Sequence, residues 1–323
     1  MPRRIILDVD TGSDDAVAIL LAALSPEIKL EAVCSVAGNK PIENTTENTL
    51  RVLELLGSDV PMYRGASSPM VRDVCPWRKS FEERTQTVVD GKVVQIHSDY
   101  LPLPAATRKP EAMPAPVFYV DYLMKQTEPV TLVAVGPLTN VALALLIEPR
   151  IAEHIDEIVI MGGGCEVSNS SSSAEFNIWF DPEAAQRVLQ CGVKITMVPL
   201  DATHRATVSY DDCARFREIG TPAALFAISQ IEQRIVVHDA AQPLAAKGSC
   251  ALHDPLCIAY LLDPTVLQDV RYCHVDVSLT GLTDGQTVVD QRAHQDNRNC
   301  YFAFNGDREK FVDILADAFA RNK

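Results

Sequence analysis

The chain has 323 residues, 47% hydrophobic and 22% charged, and a fold of this length buries about 75% of the surface its unfolded form exposes, so it needs no disulfide or metal staple. Its 29 basic and 43 acidic residues give a net charge of −14, which argues against nucleic-acid polymers and anionic membranes as partners. Aromatic residues make up only 6%, too few for base-stacking platforms, so a small neutral substrate or a cation suits the balance better.

Nine cysteines without a C-x-x-C pair suggest neither a zinc knuckle nor a disulfide framework. They read as small buried hydrophobes in a reducing compartment. The start of the chain leads straight into Ile5-Ile6-Leu7 without a secretory apolar region, and no apolar run reaches the ~20 residues of a membrane helix. The expected location is the cytoplasm.

Short β-branched runs alternate with amphipathic ones along the chain. A strand at Ile5–Val9 precedes a helix over Ala16–Leu24, and a strand at Leu30–Val36 precedes a helix over Glu43–Leu56. Residues 66–112 break the rhythm with five prolines and a charged cluster around Arg78–Arg84, and read as a long irregular insertion. The alternation resumes with a helix at Pro116–Lys125, a strand at Val130–Val135, a helix at Leu138–Ile147 and a strand at Ile155–Met161. A helix at Pro182–Leu189, a strand at Val193–Val198 and a longer helix near Pro222–Val236 follow. Strands at His274–Thr280 and Gln286–Asp290 and a helix at Arg308–Phe319 close the chain. The pattern predicts one α/β domain over 1–323, with an open, mostly parallel, Rossmann-like sheet covered by helices on both faces.

The chemistry concentrates where the first strand ends, in Asp8-Val9-Asp10-Thr11-Gly12-Ser13-Asp14-Asp15. Open α/β sheets place ligands at such carboxyl ends. Like charges this close repel unless a cation or donors compensate, and an oxygen-rich cluster suits Ca²⁺ or Mg²⁺ rather than zinc. Asp14 and Asp15 alone could be an acidic first helical turn, but Asp8 and Asp10 serve no cap. An EF-hand fails, since its sixth position is Ser13 and its twelfth Ile19. Asp8-x-Asp10-Thr11 also resembles the nucleophile motif of haloacid dehalogenase-like phosphatases, which keeps a Mg²⁺-dependent phosphotransferase using Asp8 open as an alternative.

Polar clusters follow other strands: Gly38-Asn39, Gly136-Pro137-Leu138-Thr139-Asn140, Gly162-Gly163-Gly164 and Glu175-Phe176-Asn177. Asn140 reads as a helix cap, and the triple glycine lacks the lysine and spacing of a phosphate loop. His253-Asp254-Pro255 fits the start of a helix, and histidine is the side chain suited to acid catalysis near neutral pH.

Taken together, these segments resemble the inosine–uridine-preferring nucleoside hydrolase family. Asp8 to Ala16 looks like its D-x-D-x-G-x-D-D-A fingerprint, with Thr11 and Ser13 where proline and histidine are often seen. The later clusters, Asp181-Pro182-Glu183-Ala184 and His253-Asp254-Pro255 match in order, and Gly285–Asp290 matches more weakly. The resemblance implies hydrolysis of purine or pyrimidine ribonucleosides to base and ribose in nucleoside salvage, by homodimers or homotetramers. It implies Ca²⁺ held by Asp10, Asp15, Asp254 and the carbonyl of Val135. Asp10 would accept a proton from an ion-held water, and His253 would protonate the leaving base. Asp14, Asn39, Asn177 and Asp254 would contact sugar or water, Asn169 and Glu175 the 5′-hydroxyl, and Met161 the ribose. A non-catalytic nucleoside-binding protein is the other alternative.

One departure concerns the base side. The family's H-G-x-D-G-L-G segment reads here His97-Ser98-Asp99-Tyr100-Leu101-Pro102, so His97 survives as a candidate substrate contact while the glycines do not. Trp77, in the same insertion, is expected to anchor the loop by packing, and His238 and Asp239 either line the base pocket or form a solvated helix face.

Overall fold

Strand Arg3–Val9 sits near the middle of a nine-stranded sheet and is buried along its last five residues. On one side of it lie Ile28–Ser35 and then Met62–Arg64; on the other lie Val130–Ala134, Ile155–Met161, Ile195–Val198, Cys300–Gly306, Leu267–Val277 and Thr287–Asp290. All pairings from Met62–Arg64 through to Cys300–Gly306 are parallel. The last two pairings are antiparallel. The computed structural model describes residues 1–78, 87–89, 92–292 and 297–322.

Numbered along the chain, the first six sheet strands take the order 3-2-1-4-5-6 of doubly wound folds. The order reverses between Arg3–Val9 and Val130–Ala134, and the crevice beyond their carboxyl ends is the place such a sheet offers a ligand. Alternation along the strands sends side chains into two layers. Ile5, Leu7, Val9, Val133 and Val135 join one apolar core, and Ile6, Leu132 and Ala134 join the other. Both faces are therefore covered, which explains the nearly continuous apolar runs. Among the described residues no helix is long and apolar enough to cross a membrane, and all nine cysteines are free thiols.

Strand Ile155–Met161 and helices Pro182–Leu189 and Arg308–Phe319 have the bounds the pattern predicts. Strand Cys300–Gly306 does not appear in the pattern because its exposure is irregular, with Tyr301 turned outward and Phe302 and Ala303 both buried. The expected strand at His274–Thr280 begins earlier, at Leu267, through five exposed residues that hide it from an apolar search.

Between residues 66 and 112 the described regular structure is a 3₁₀ turn at Arg72–Val74 and a hairpin of Thr87–Val89 with Lys92–Val94. Trp77 is 82% exposed and does not anchor this segment by packing as expected. Arg78 next to it does so by charge, gripping Glu183 at 3.0 and 2.7 Å and donating to the Leu279 carbonyl.

Asn140 is not a cap either. It lies inside helix Thr139–Ile147, wholly buried. Its amide nitrogen donates to Asp8 at 3.0 Å and to the Ser35 carbonyl at 3.0 Å, and its oxygen accepts from the Ala66 N–H at 2.8 Å. The side chain thus ties three segments beneath the crevice. Asn140→Ala should leave several buried polar groups unpaired and destabilise the protein by about 2–3 kcal/mol in equilibrium denaturation.

Candidate active site

The acidic segment turns at the crevice and folds back on itself. Asp15, in the first turn of helix Ser13–Leu24, accepts the N–H of Asp10 at 3.0 Å and of Gly12 at 2.9 Å. This satisfies donors that a helix start leaves open. Asp10 Oδ2 accepts the Asn39 N–H at 2.6 Å, while its Oδ1 is buried with no hydrogen-bond partner among the described residues. Gly38 allows this approach, since a Cβ there would lie 2.2 Å from Asp10 Oδ2. Gly12 does the same for His97, whose Nδ1 would meet a Cβ at 2.0 Å.

The next two strands supply the floor. Asn177 Nδ2 donates to the carbonyls of Val135, at 2.8 Å, and Met161, at 3.1 Å. Glu175 caps the short helix Phe176–Phe180, accepting from Asn177 and Ile178, and also accepts the Gly163 N–H at 2.8 Å. Asn169 Oδ1 accepts the Phe176 N–H at 2.9 Å. Asp201, which the sequence did not single out, fixes the same loop through the N–H groups of Cys165 and Glu166, both at 2.8 Å.

Helix His253–Leu262 brings His253 and Asp254 to the opposite wall. Thr203 Oγ1 lies 2.8 Å from His253 Nδ1. The insertion closes the near side through His97, whose Nδ1 accepts the Ser13 N–H at 3.1 Å and stands 4.0 Å from Asp14. Asp14, Asn39, His97, Val135, Met161, Asn169, Glu175, Asn177, His253 and Asp254 all border one cavity of about 500 Å³ including its mouth. Asp10 and Asp15 lie beside it, bonded to Asn39.

Electrostatics set the character of the site. Burial first, then the charge of Asp15, raises the pKa of Asp10 well above the usual carboxylate range. Burial and the three neighbouring aspartates raise Asp254 in the same way, and burial with Asp14 pushes Asp15 up to about 6. Oxygens of Asp14, Asp15 and Asp254 lie within 4.8 Å of one another. This all-oxygen set, with the partnerless Asp10 Oδ1 and the Val135 carbonyl close by, fits a hard divalent cation. Asp8 takes no part. It is buried under Tyr119, 2.7 Å away, and Asn140, with burial pushing its pKa up to about 7, so it is not placed to be a phosphatase nucleophile.

Residues 5–313 match the family model described as inosine-uridine preferring nucleoside hydrolase. The chain belongs to that family. It is 39% identical to a pyrimidine-specific ribonucleoside hydrolase RihA of Photobacterium profundum, over 99% of both chains. It is 38% identical to an inosine-uridine preferring nucleoside hydrolase of Leishmania major, over 99% of this chain and 98% of that one. Among solved structures, the purine-preferring ribonucleoside hydrolase from Gardnerella vaginalis superposes with a TM-score of 0.85 at 29% identity, covering 98% of each chain.

Two base-side expectations come out differently from one another. His238 is wholly buried, and burial together with Arg234 pushes its pKa down to about 3, so the ring is neutral; it neither borders the cavity nor faces solvent. Asp239 accepts the Gly248 N–H at 3.0 Å. The residue the sequence reading missed is Arg234, which borders the cavity and pairs with Asp14 at 2.8 Å. Its signal was an arginine at helical spacing with Ile231, Ile235 and His238, on the buried stripe of helix Pro222–Ala241.

Removing divalent ions should expose the repulsion. The folded value of Asp15 lies above its unfolded value of 3.8, so the stability this group contributes is full below that pH and is lost as pH rises through about 6. Chelation should therefore lower Tm by about 5 °C or more near pH 7.5 and by much less near pH 5, read by thermal unfolding with and without added Ca²⁺.

Proposed function

We propose that the chain hydrolyses the N-glycosidic bond of pyrimidine ribonucleosides, uridine foremost, to free base and ribose. Nucleoside hydrolysis accompanies membership of the family; the choice of uridine rests on its being named for one of the two relatives described above and belonging to the pyrimidine class named for the other. The observation that carries the reading is the buried carboxylate cluster opening on a cavity otherwise lined by amides, a glutamate, two histidines, an arginine and a few apolar side chains.

Asp10, Asp15, Asp254 and the Val135 carbonyl would hold Ca²⁺, with Asp14 completing the carboxylate ring. When bound, the ion supplies positive charge that acidifies water and grips a sugar diol. Asp10 is the base: its Oδ1 is buried with no hydrogen-bond partner among the described residues and so has a lone pair to accept a proton. Asn39, Asn177 and Asp14 orient the ribose, Asn169 and Glu175 take the 5′-hydroxyl, and Met161 packs against the ring. Glycosidic cleavage makes the sugar an oxocarbenium-like cation, which preorganised carboxylates and amide oxygens stabilise.

His253 assists the departing base. Burial, and then Arg234, disfavour its charged form, so the resting imidazole is neutral. With Nδ1 accepting from the Thr203 hydroxyl, its proton would sit on Nε2 for donation to the base. Residues 1–323 act as one catalytic domain in this reading, with the 66–112 insertion lending His97 to the base side. The protein would serve nucleoside salvage in the cytoplasm as a homodimer or homotetramer.

A panel of uridine, cytidine and inosine, scored for free base and reducing sugar with and without chelator, tests the function. Ribose release from uridine that chelator abolishes is expected; no release from any of the three would overturn it. His253→Ala should cut kcat on uridine by about 10²–10⁴-fold, but that on a nitrophenyl riboside by less than about tenfold, because a good leaving group needs no proton. Equal losses would remove His253 from the leaving-group side.

A further inference from the structure

Arg234 is a charged group at the cavity with more donors than its pairing with Asp14 uses. Its side chain is 1% exposed. Nε donates to the Ala251 carbonyl at 3.1 Å, and Nη1 donates to Asp14 Oδ1 at 2.8 Å and to Ser13 Oγ at 2.9 Å. The third nitrogen, Nη2, makes no hydrogen bond to a described residue, while the side chain borders the cavity beside His97, Gln242 and His253. A guanidinium is planar, so fixing two nitrogens fixes the direction of the third. Guanidinium groups also stay charged over the range in which proteins fold. The cavity thus has a guanidinium donor, held rigid, together with His97 and His253, the two residues assigned above to the base.

We propose that Arg234 is a catalytic and specificity-determining residue for the leaving base, its Nη2 donating to the 2-oxo oxygen that flanks the glycosidic nitrogen of a pyrimidine. The proposal rests on the ribonucleoside reading given above. As the bond between C1′ and N1 breaks, its electron pair goes to N1 and spreads onto O2. The water oxygen forms the new bond to C1′, and the proton lost by that water goes to Asp10. The negative charge developing on the base is held by the hydrogen bond from Arg234 while His253 Nε2 donates the proton that the departing base takes up. Arg234 itself gives up no proton, so its contribution is electrostatic and is largest where charge has developed on the base.

The pairing with Asp14 supplies the competing explanation, in which Arg234 only props a ribose contact. The two differ in which substrates suffer. If Arg234 holds the leaving base, Arg234→Gln should lower kcat/KM for uridine by about 100- to 1000-fold and for a nitrophenyl riboside by less than about fivefold. The retained nitrophenyl activity also reports that the variant is folded. Losses of equal size on both substrates would overturn the proposal, since a damaged ribose contact affects both.

A second measurement does not depend on the glutamine variant folding. Wild-type protein and Arg234→Lys are compared on uridine and on the uridine analogue in which hydrogen replaces the 2-oxo oxygen. The wild-type preference for uridine should be about 100-fold, shrinking by about tenfold or more in the lysine variant, which keeps charge but loses the fork. The same preference in both proteins would overturn the assignment. Wild-type protein that releases ribose from neither uridine nor the nitrophenyl riboside would instead overturn the ribonucleoside reading beneath it.

Discussion

Burying several carboxyl groups together is among the costliest arrangements a fold can contain, and this chain does it with Asp10, Asp14, Asp15 and Asp254. The surrounding structure is organised around that cost. Asp15 is held by the N–H groups of Asp10 and Gly12, Asp10 by the N–H of Asn39, and Asp14 by the guanidinium of Arg234. Glycines at 12 and 38 leave room for neighbours that a side chain would exclude. These donors offset part of the repulsion, and Asp10 Oδ1 is left over. A site built only for stability would not retain four such groups; one built for a divalent cation and a sugar that becomes positive has reason to.

On the function proposed above, the sugar half and the base half of the cavity are built differently. The sugar half hangs from strand ends and from the backbone next to them: Asp10, Asn39, the Val135 and Met161 carbonyls bound by Asn177, and Glu175 at a helix cap. Errors of position there are limited by the sheet itself. The base half comes from outside the sheet, with His97 from the irregular insertion and Arg234 from helix Pro222–Ala241. Connecting segments tolerate change better than strand ends do. Discrimination among bases can vary on such a scaffold without disturbing the grip on ribose.

This division also explains what could be read from the sequence. The acidic fingerprint, the glycine-flanked asparagines and His253-Asp254 are local patterns, and the structure brings them together because each follows a strand in one parallel sheet or opens the helix opposite. The mostly parallel sheet follows from alternating strand and helix periods, whereas the place of Arg3–Val9 beside Val130–Ala134 is a long-range pairing that no period encodes. Asn140 is misread from local spacing because its role is long-range: it joins Asp8, Ser35 and Ala66, which no local spacing relates. Trp77 is misread because size suggests packing, whereas Arg78 carries the attachment. Arg234 escapes notice for a related reason. A lone arginine on an apolar stripe has meaning only once its partner, 220 positions earlier, is known.

The charge balance of the site also involves Arg234. The cluster holds four carboxyl groups, and Arg234 neutralises one of them at 2.8 Å. A divalent ion neutralises two more, which leaves about one negative charge in a buried site. That remainder matches the single positive charge that glycosidic cleavage develops on the sugar. Without the arginine, the ion and four carboxylates would leave two, raising proton affinity and returning a carboxyl group to its neutral form. A proton on Asp14 would restore the same net charge, so losing the guanidinium would leave the charge balance of the sugar side nearly unchanged and remove the donor that faces the base.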